Sequence, residues 1–210
     1  MDELMIDRLQ IREVIEKWVL YSDSGDFERF PAVWHPDGYM SATWFKGTAK
    51  EFVEGRKQGF NKGTAPILHF IGGSIIDVVG KRAIAQTEMH IDQRGKIDGV
   101  LVDVVCVGRF YDFLEKYEGR WLFVRRQPIY EKDRMHPADP TAVIKLDTEL
   151  YNEYPEGFRN LAYLQTKNGH KVRKDLPGLR GPIIETLYAE GKAWLAGSAR
   201  AGNPLGFWQQ

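Results

Sequence analysis

Ile67–Val79 reads ILHFIGGSIIDVV, and it opens a run to Tyr130 dominated by β-branched and aromatic residues. Residues 82–91, 100–113 and 121–130 share that texture, punctuated by Gly80, Gly95, Gly99 and Gly119. The pattern predicts four long strands in an antiparallel meander. Gly72-Gly73 inside the first strand predicts a bulge or sharp bend, and residues 115–119 form a hairpin connection. Upstream the period changes. Ile11, Val14, Ile15, Trp18 and Val19 recur at helical spacing over residues 4–21, and Gly25 supplies the left-handed stop. A short second helix is expected to bury Phe27, Phe30, Val33 and Trp34, followed by a tight turn at His35-Pro36-Asp37-Gly38 and a strand over residues 39–45. Thr48 and Glu51 form a capping-box pair that opens a third helix to about Gly59. Helices first and a meander afterwards make an α+β fold, not the alternating pattern of a doubly wound sheet.

Downstream, His136-Pro137-Ala138-Asp139-Pro140 reads as a break. The chain therefore divides into an α+β domain at 1–134 and a helical extension at 135–210. Two helices are expected in the extension, at 156–167 and 182–195, joined by a basic loop at 167–174. Two helices bury little surface alone, so the extension is expected to pack on the first domain or across a subunit boundary. Phe207-Trp208 at the tail is expected to dock.

The 210 residues carry 29 basic and 29 acidic side chains, a formal net charge of zero. That balance gives no general field for nucleic acid or an anionic membrane, so neither partner is expected. Cys106 is the single cysteine, which excludes an intrachain disulfide and a Cys-rich metal site. No apolar run approaches the ~20 residues of a membrane span, and the acidic start lacks a secretion signal. A cytoplasmic protein is expected. Phosphate-binding loops, dinucleotide fingerprints and nucleophile elbows are missing, and His35/Asp37 and His136/Asp139 sit in turns without metal-ligand spacing. No metal or cofactor is expected.

Asp23 at the end of the first helix and His69 in the first long strand are the remaining chemical pair. Read as residues alone, Asp23 serves as a cap and His69 as a satisfied histidine, or the two form an acid–base couple. The segments Tyr21-Ser22-Asp23-Ser24-Gly25-Asp26-Phe27, Trp34-His35-Pro36-Asp37-Gly38 and His69-Phe70-Ile71-Gly72-Gly73 resemble the scytalone dehydratase group. That group is SnoaL-like, within the nuclear transport factor 2-like superfamily, and the resemblance spans about residues 5–132. It implies a cone: helices packed into a strongly curved antiparallel sheet, a cystatin-like α+β barrel, around an apolar chamber. It also implies that His69 is the general base and Asp23 its orienting partner.

The resemblance has departures. The positions of two water-holding tyrosines fall at Ser22 and Ala42, with Tyr21 and Tyr39 as neighbours. Two polar positions on the third long strand fall at Cys106 and Gly108, and a second histidine falls at Gln93 or, with a register shift, His90. Arg126 matches an arginine that a related dehydrochlorinase places in its pocket, where it could stabilise a leaving anion. Strand alternation lets only one of Arg125 and Arg126 face inward. Trp18, Tyr21, Tyr39, Met40, Cys106 and Phe110 are the expected pocket residues. The implied function is a cofactor-independent lyase of dehydratase type acting on a small apolar, aromatic or polycyclic molecule. Carbon–carbon cleavage, isomerisation and non-catalytic ligand binding use the same pocket as alternatives. A homo-oligomer is implied, a trimer before a dimer.

Overall fold

The computed structural model describes residues 2–63 and 67–198. Helix α1, Glu3–Ser24, starts on the Asp2 side chain and stops at Gly25, whose φ of 76° is the left-handed conformation glycine adopts freely. Its inward stripe is Ile11, Ile15, Trp18 and Val19. The expected second helix is reduced to one 3₁₀ turn, Phe30–Val33, with Pro31 in its first turn. Strand β1, Trp34–Ser41, follows at once. The expected turn at 35–38 is instead an irregular stretch of this strand, where the pairing register jumps between Trp34 and Tyr39. Strand β2, Lys46–Thr48, leads into helix α2, Ala49–Asn61, through the Thr48/Glu51 capping box.

The meander is β3 (Ile67–Val79), β4 (Arg82–Ile97), β5 (Val100–Tyr117) and β6 (Arg120–Pro137). Gly72-Gly73 is a bulge, since the β3–β4 register slips between Ile71 and Ser74. Asp98-Gly99 and Glu118-Gly119 both have positive φ, the backbone of the tight hairpin turns that join these strands. β4, β5 and β6 extend beyond the expected bounds because their ends keep partners: Val102 pairs with Pro137 and Lys96 with Leu101. The expected break at residue 136 is therefore still strand, and Pro137 sits at its last position, where a missing N–H costs little. The sheet order is β2-β1-β6-β5-β4-β3, with β1 parallel to β6. The curved sheet is open, with β2 and β3 at its edges.

The extension holds α3 (Thr148–Asn152), a 3₁₀ turn at Glu156–Phe158, α4 (Arg159–Lys167) and α5 (Pro182–Leu195). α4 sends Leu161, Ala162, Tyr163 and Leu164 into the same core as Ile11, Ile15 and Trp18 of α1. α5 covers the other face, packing Ile184, Leu187 and Trp194 on Ile84, Tyr111, Phe113 and Val124. It lies so close that a Cβ on Gly191 would come within 1.9 Å of the Tyr111 hydroxyl. With both faces covered, alternation no longer leaves one arginine in water. Arg125 faces α5 and pairs with Glu190 at 2.6 Å, while Arg126 faces α1 and pairs with Asp112. Phe207-Trp208 lies outside the described residues. No helix among the described residues is long and apolar enough to cross a membrane. The outward row of β3 leaves Leu68, Phe70, Ile75 and Val79 exposed.

Candidate active site

Asp23 occupies the last turn of α1, which crosses the edge strand β3. An edge strand carries main-chain donors without a strand partner, and Asp23 takes one of them. Its Oδ2 accepts the His69 main-chain N–H at 2.6 Å, and its Oδ1 lies 2.8 Å from His69 Nδ1. One carboxylate thus fixes the strand and the ring together. The two side chains are 12% and 9% exposed. An ionised Asp23 requires the proton on Nδ1, which leaves the lone pair on Nε2. Trp18 meets the imidazole edge-on, with centroids 5.4 Å apart at 80°, and Phe110 lies 6.1 Å away. These rings hold the imidazole in one orientation.

His69, Trp18, Met40 and Phe110 line an inner cavity of about 40 Å³. That is room for about three water molecules. Its polar wall is a hydrogen-bonded chain from the β1–β2 connection, α4 and β4. The Thr43 hydroxyl donates to Gln165 Oε1 at 2.6 Å, and Gln165 Nε2 donates to Gln93 Oε1 at 3.0 Å. Tyr130 adjoins Thr43; burial pushes its hydroxyl pKa up, against the hydrogen bonding from Thr43. An outer cavity of about 320 Å³ is lined by Asp23, Phe60 and His170, among others. Trp44, Arg56, Ile67, Gln93 and Gln165 line both spaces, so the two meet at these side chains. Among the described residues there is no cluster of His, Cys, Asp or Glu fit to hold a metal ion.

Of the pocket residues expected from sequence, Trp18, Met40 and Phe110 line the inner cavity with His69. Tyr21, Tyr39, Cys106 and Arg126 do not. Tyr21 lies off the inward stripe of α1, lines a separate cavity, and carries Arg29 over its ring at 4.9 Å. Tyr39 precedes Met40 on β1, so alternation turns it the other way. Cys106 is four residues along β5 from Phe110, about 13 Å at strand rise. Its thiol meets the Gly157 carbonyl at 3.6 Å, and burial raises its pKa well above the ordinary value. Arg126 stands behind the wall. It grips Asp112 at 2.8 and 2.7 Å, with its guanidinium over Trp18, Phe110 and Phe123 at 4.1–4.4 Å. Gln93 lines the cavity, whereas His90 is exposed.

Sequence reasoning missed Arg56, Thr43, Tyr130 and Gln165. Gln165 did leave a signal: it is a buried amide adjoining the apolar stripe of α4.

Helices laid on a curved, open, mixed sheet, with a buried Asp–His pair beside a cavity, make up an α+β protein. The chain belongs to the SnoaL-like domain family, whose model matches residues 3–127. It is similar to a PEP2-like protein of Fusarium vanettenii, 37% identical over 207 residues, covering 93% of this chain and 88% of that one. Pea pathogenicity protein 2 of the same organism is 36% identical with the same coverage. Both alignments extend well past the family model, so the two relatives share the extension as well. Among solved structures, one from Novosphingobium aromaticivorans, assigned provisionally as a scytalone dehydratase, superposes with TM-score 0.52 at 18% identity, covering 67% of this chain and 97% of that one. A type 2 hexachlorocyclohexane dehydrochlorinase superposes with TM-score 0.51 at 12% identity, covering 68% and 96%. These likenesses establish the fold.

Proposed function

We propose that the chain is a cofactor-independent lyase of dehydratase type, with His69 as general base and Asp23 as its orienting partner. The observation that carries this reading is the 2.8 Å contact between Asp23 Oδ1 and His69 Nδ1 at the wall of a small apolar chamber. His69 Nε2 takes a proton from a substrate carbon. The C–H electron pair becomes the new double bond, and hydroxide leaves the adjacent carbon with its own pair. The imidazolium returns its proton to that hydroxide, and water departs. Asp23 holds the tautomer and steadies the imidazolium, an effect strengthened where solvent is excluded. The aromatic wall favours a small apolar or aromatic substrate.

A substrate-independent probe tests the base. Elimination of 5-nitrobenzisoxazole needs only a positioned base and an apolar site. The expected result is a rate well above buffer. A rate equal to buffer at every pH overturns the reading.

We also propose self-association, a trimer first, through the exposed Leu68, Phe70, Ile75 and Val79 row. Light scattering is expected to give three times the 24.1 kDa chain mass, and Phe70→Asp to shift it to one. A monomeric wild-type protein overturns this.

A further inference from the structure

Arg56, from the middle of α2, lines both the inner and the outer cavity. It is partly buried, and burial lowers its guanidinium pKa against the pull of Asp23. Its contacts are long ones: Nε to the Ser22 hydroxyl and Nη2 to the Ser22 carbonyl, each 3.3 Å. Three other arginines drawn out of water have a carboxylate at contact distance. Arg125 reaches Glu190 at 2.6 Å, Arg126 reaches Asp112 at 2.8 and 2.7 Å, and Arg109 reaches Glu131 at 2.6 Å. Asp23 is the carboxylate acting on Arg56, yet both its oxygens are taken by His69. Arg56 is thus a partly desolvated cation without a contact counter-ion among the described residues, an arrangement that an incoming anion relieves.

The cavity walls point the same way. Trp18 Nε1–H has no acceptor among the described residues. The Gln93 amide spends its oxygen on Gln165, leaving its nitrogen as a donor.

Resting on the lyase reading for its location, we infer that Arg56 recognises an oxyanion on the ligand, so that the substrate class is an aromatic or polycyclic molecule bearing a carboxylate or acidic phenol. The apolar ring lies in the outer cavity against Trp44 and Phe60; the oxyanion meets the guanidinium where the cavities join. The outer cavity, about 320 Å³, is large enough for a fused ring to approach.

The test compares 2-naphthoate with 2-naphthamide, equal in shape and different in charge, by calorimetry and by quenching of the Trp44 fluorescence. Wild-type protein is expected to bind the carboxylate at least about 10-fold more tightly. Arg56→Met is expected to bring the ratio to about one by weakening the carboxylate more than the amide, which a purely structural role would not do. Arg56→Lys is expected to retain part of the preference. A wild-type protein that binds both alike, or neither, overturns the inference, as does an undiminished preference in Arg56→Met. Should that variant fail to fold, the wild-type ratio alone still decides. His69→Ala separates the two readings. If it keeps the naphthoate preference but also keeps full turnover of 5-nitrobenzisoxazole, the lyase falls and the anion site stands. If it loses turnover in a protein without carboxylate preference, the reverse holds.

Discussion

His69→Ala is expected to slow elimination of 5-nitrobenzisoxazole by about 10²-fold or more, the contribution of a positioned general base. Asp23→Asn is expected to come close to it, for a reason particular to this geometry. Asp23 receives two donors, the main-chain N–H and the ring N–H of His69. An asparagine presents one oxygen and one NH₂, so it satisfies one of them and opposes the other. If the ring yields, its proton moves to Nε2 and the lone pair leaves the cavity. If the strand yields, the β3 edge loses an anchor, at a cost of about 1–3 kcal/mol. Steady-state rates and urea titrations on the same preparations distinguish the two. Full turnover by either folded variant removes the mechanism.

The second large effect falls on stability. Asp112 and Arg126 are completely buried and joined by two hydrogen bonds. Burial pushes the Asp112 carboxyl up, against the pull of Arg126. Asp112→Ala leaves a guanidinium without its counter-ion among Trp18, Phe110 and Phe123, and is expected to cost about 3–5 kcal/mol. The double change Asp112→Leu with Arg126→Met removes both charges at similar volume and is expected to restore most of that loss. Thermal melts of the single and double variants check the difference. If Arg126 touched the substrate, the restored double variant would still be inactive. Retained turnover of 5-nitrobenzisoxazole is expected instead, since Arg126 lies behind Trp18 and Phe110.

The strands of the meander, the Gly25 stop, the Thr48/Glu51 cap and the Gly72-Gly73 bulge were legible because each is a local pattern with a local cause. The Trp34–Gly38 segment was misread as a turn because Pro36 and Gly38 are equally at home in an irregular strand beside β6. Arg126 was misplaced for a tertiary reason. It does take the inward face, but Trp18 and Phe110 stand between it and the cavity, and that packing is not written in β6. His69 and Asp23 were brought forward by resemblance, since 46 positions separate them and nothing local joins them. Arg56 was invisible because on an amphipathic helix a charged residue at the margin of the apolar face reads as solvent-facing. Only the position of α2 over Ser22 turns it inward.

The wall of the chamber comes from two stretches of chain with separate histories open to them. His69, Trp18 and Phe110 lie within residues 3–127, which the family model matches, while Leu161 and Gln165 come from α4 beyond it. Mutation in the appended segment can therefore resize the ceiling while the floor that holds His69 stays untouched. Lineages that inherit the same floor are free to diverge in what they admit, and a graft of residues 156–167 between two such relatives is the natural unit for transferring selectivity.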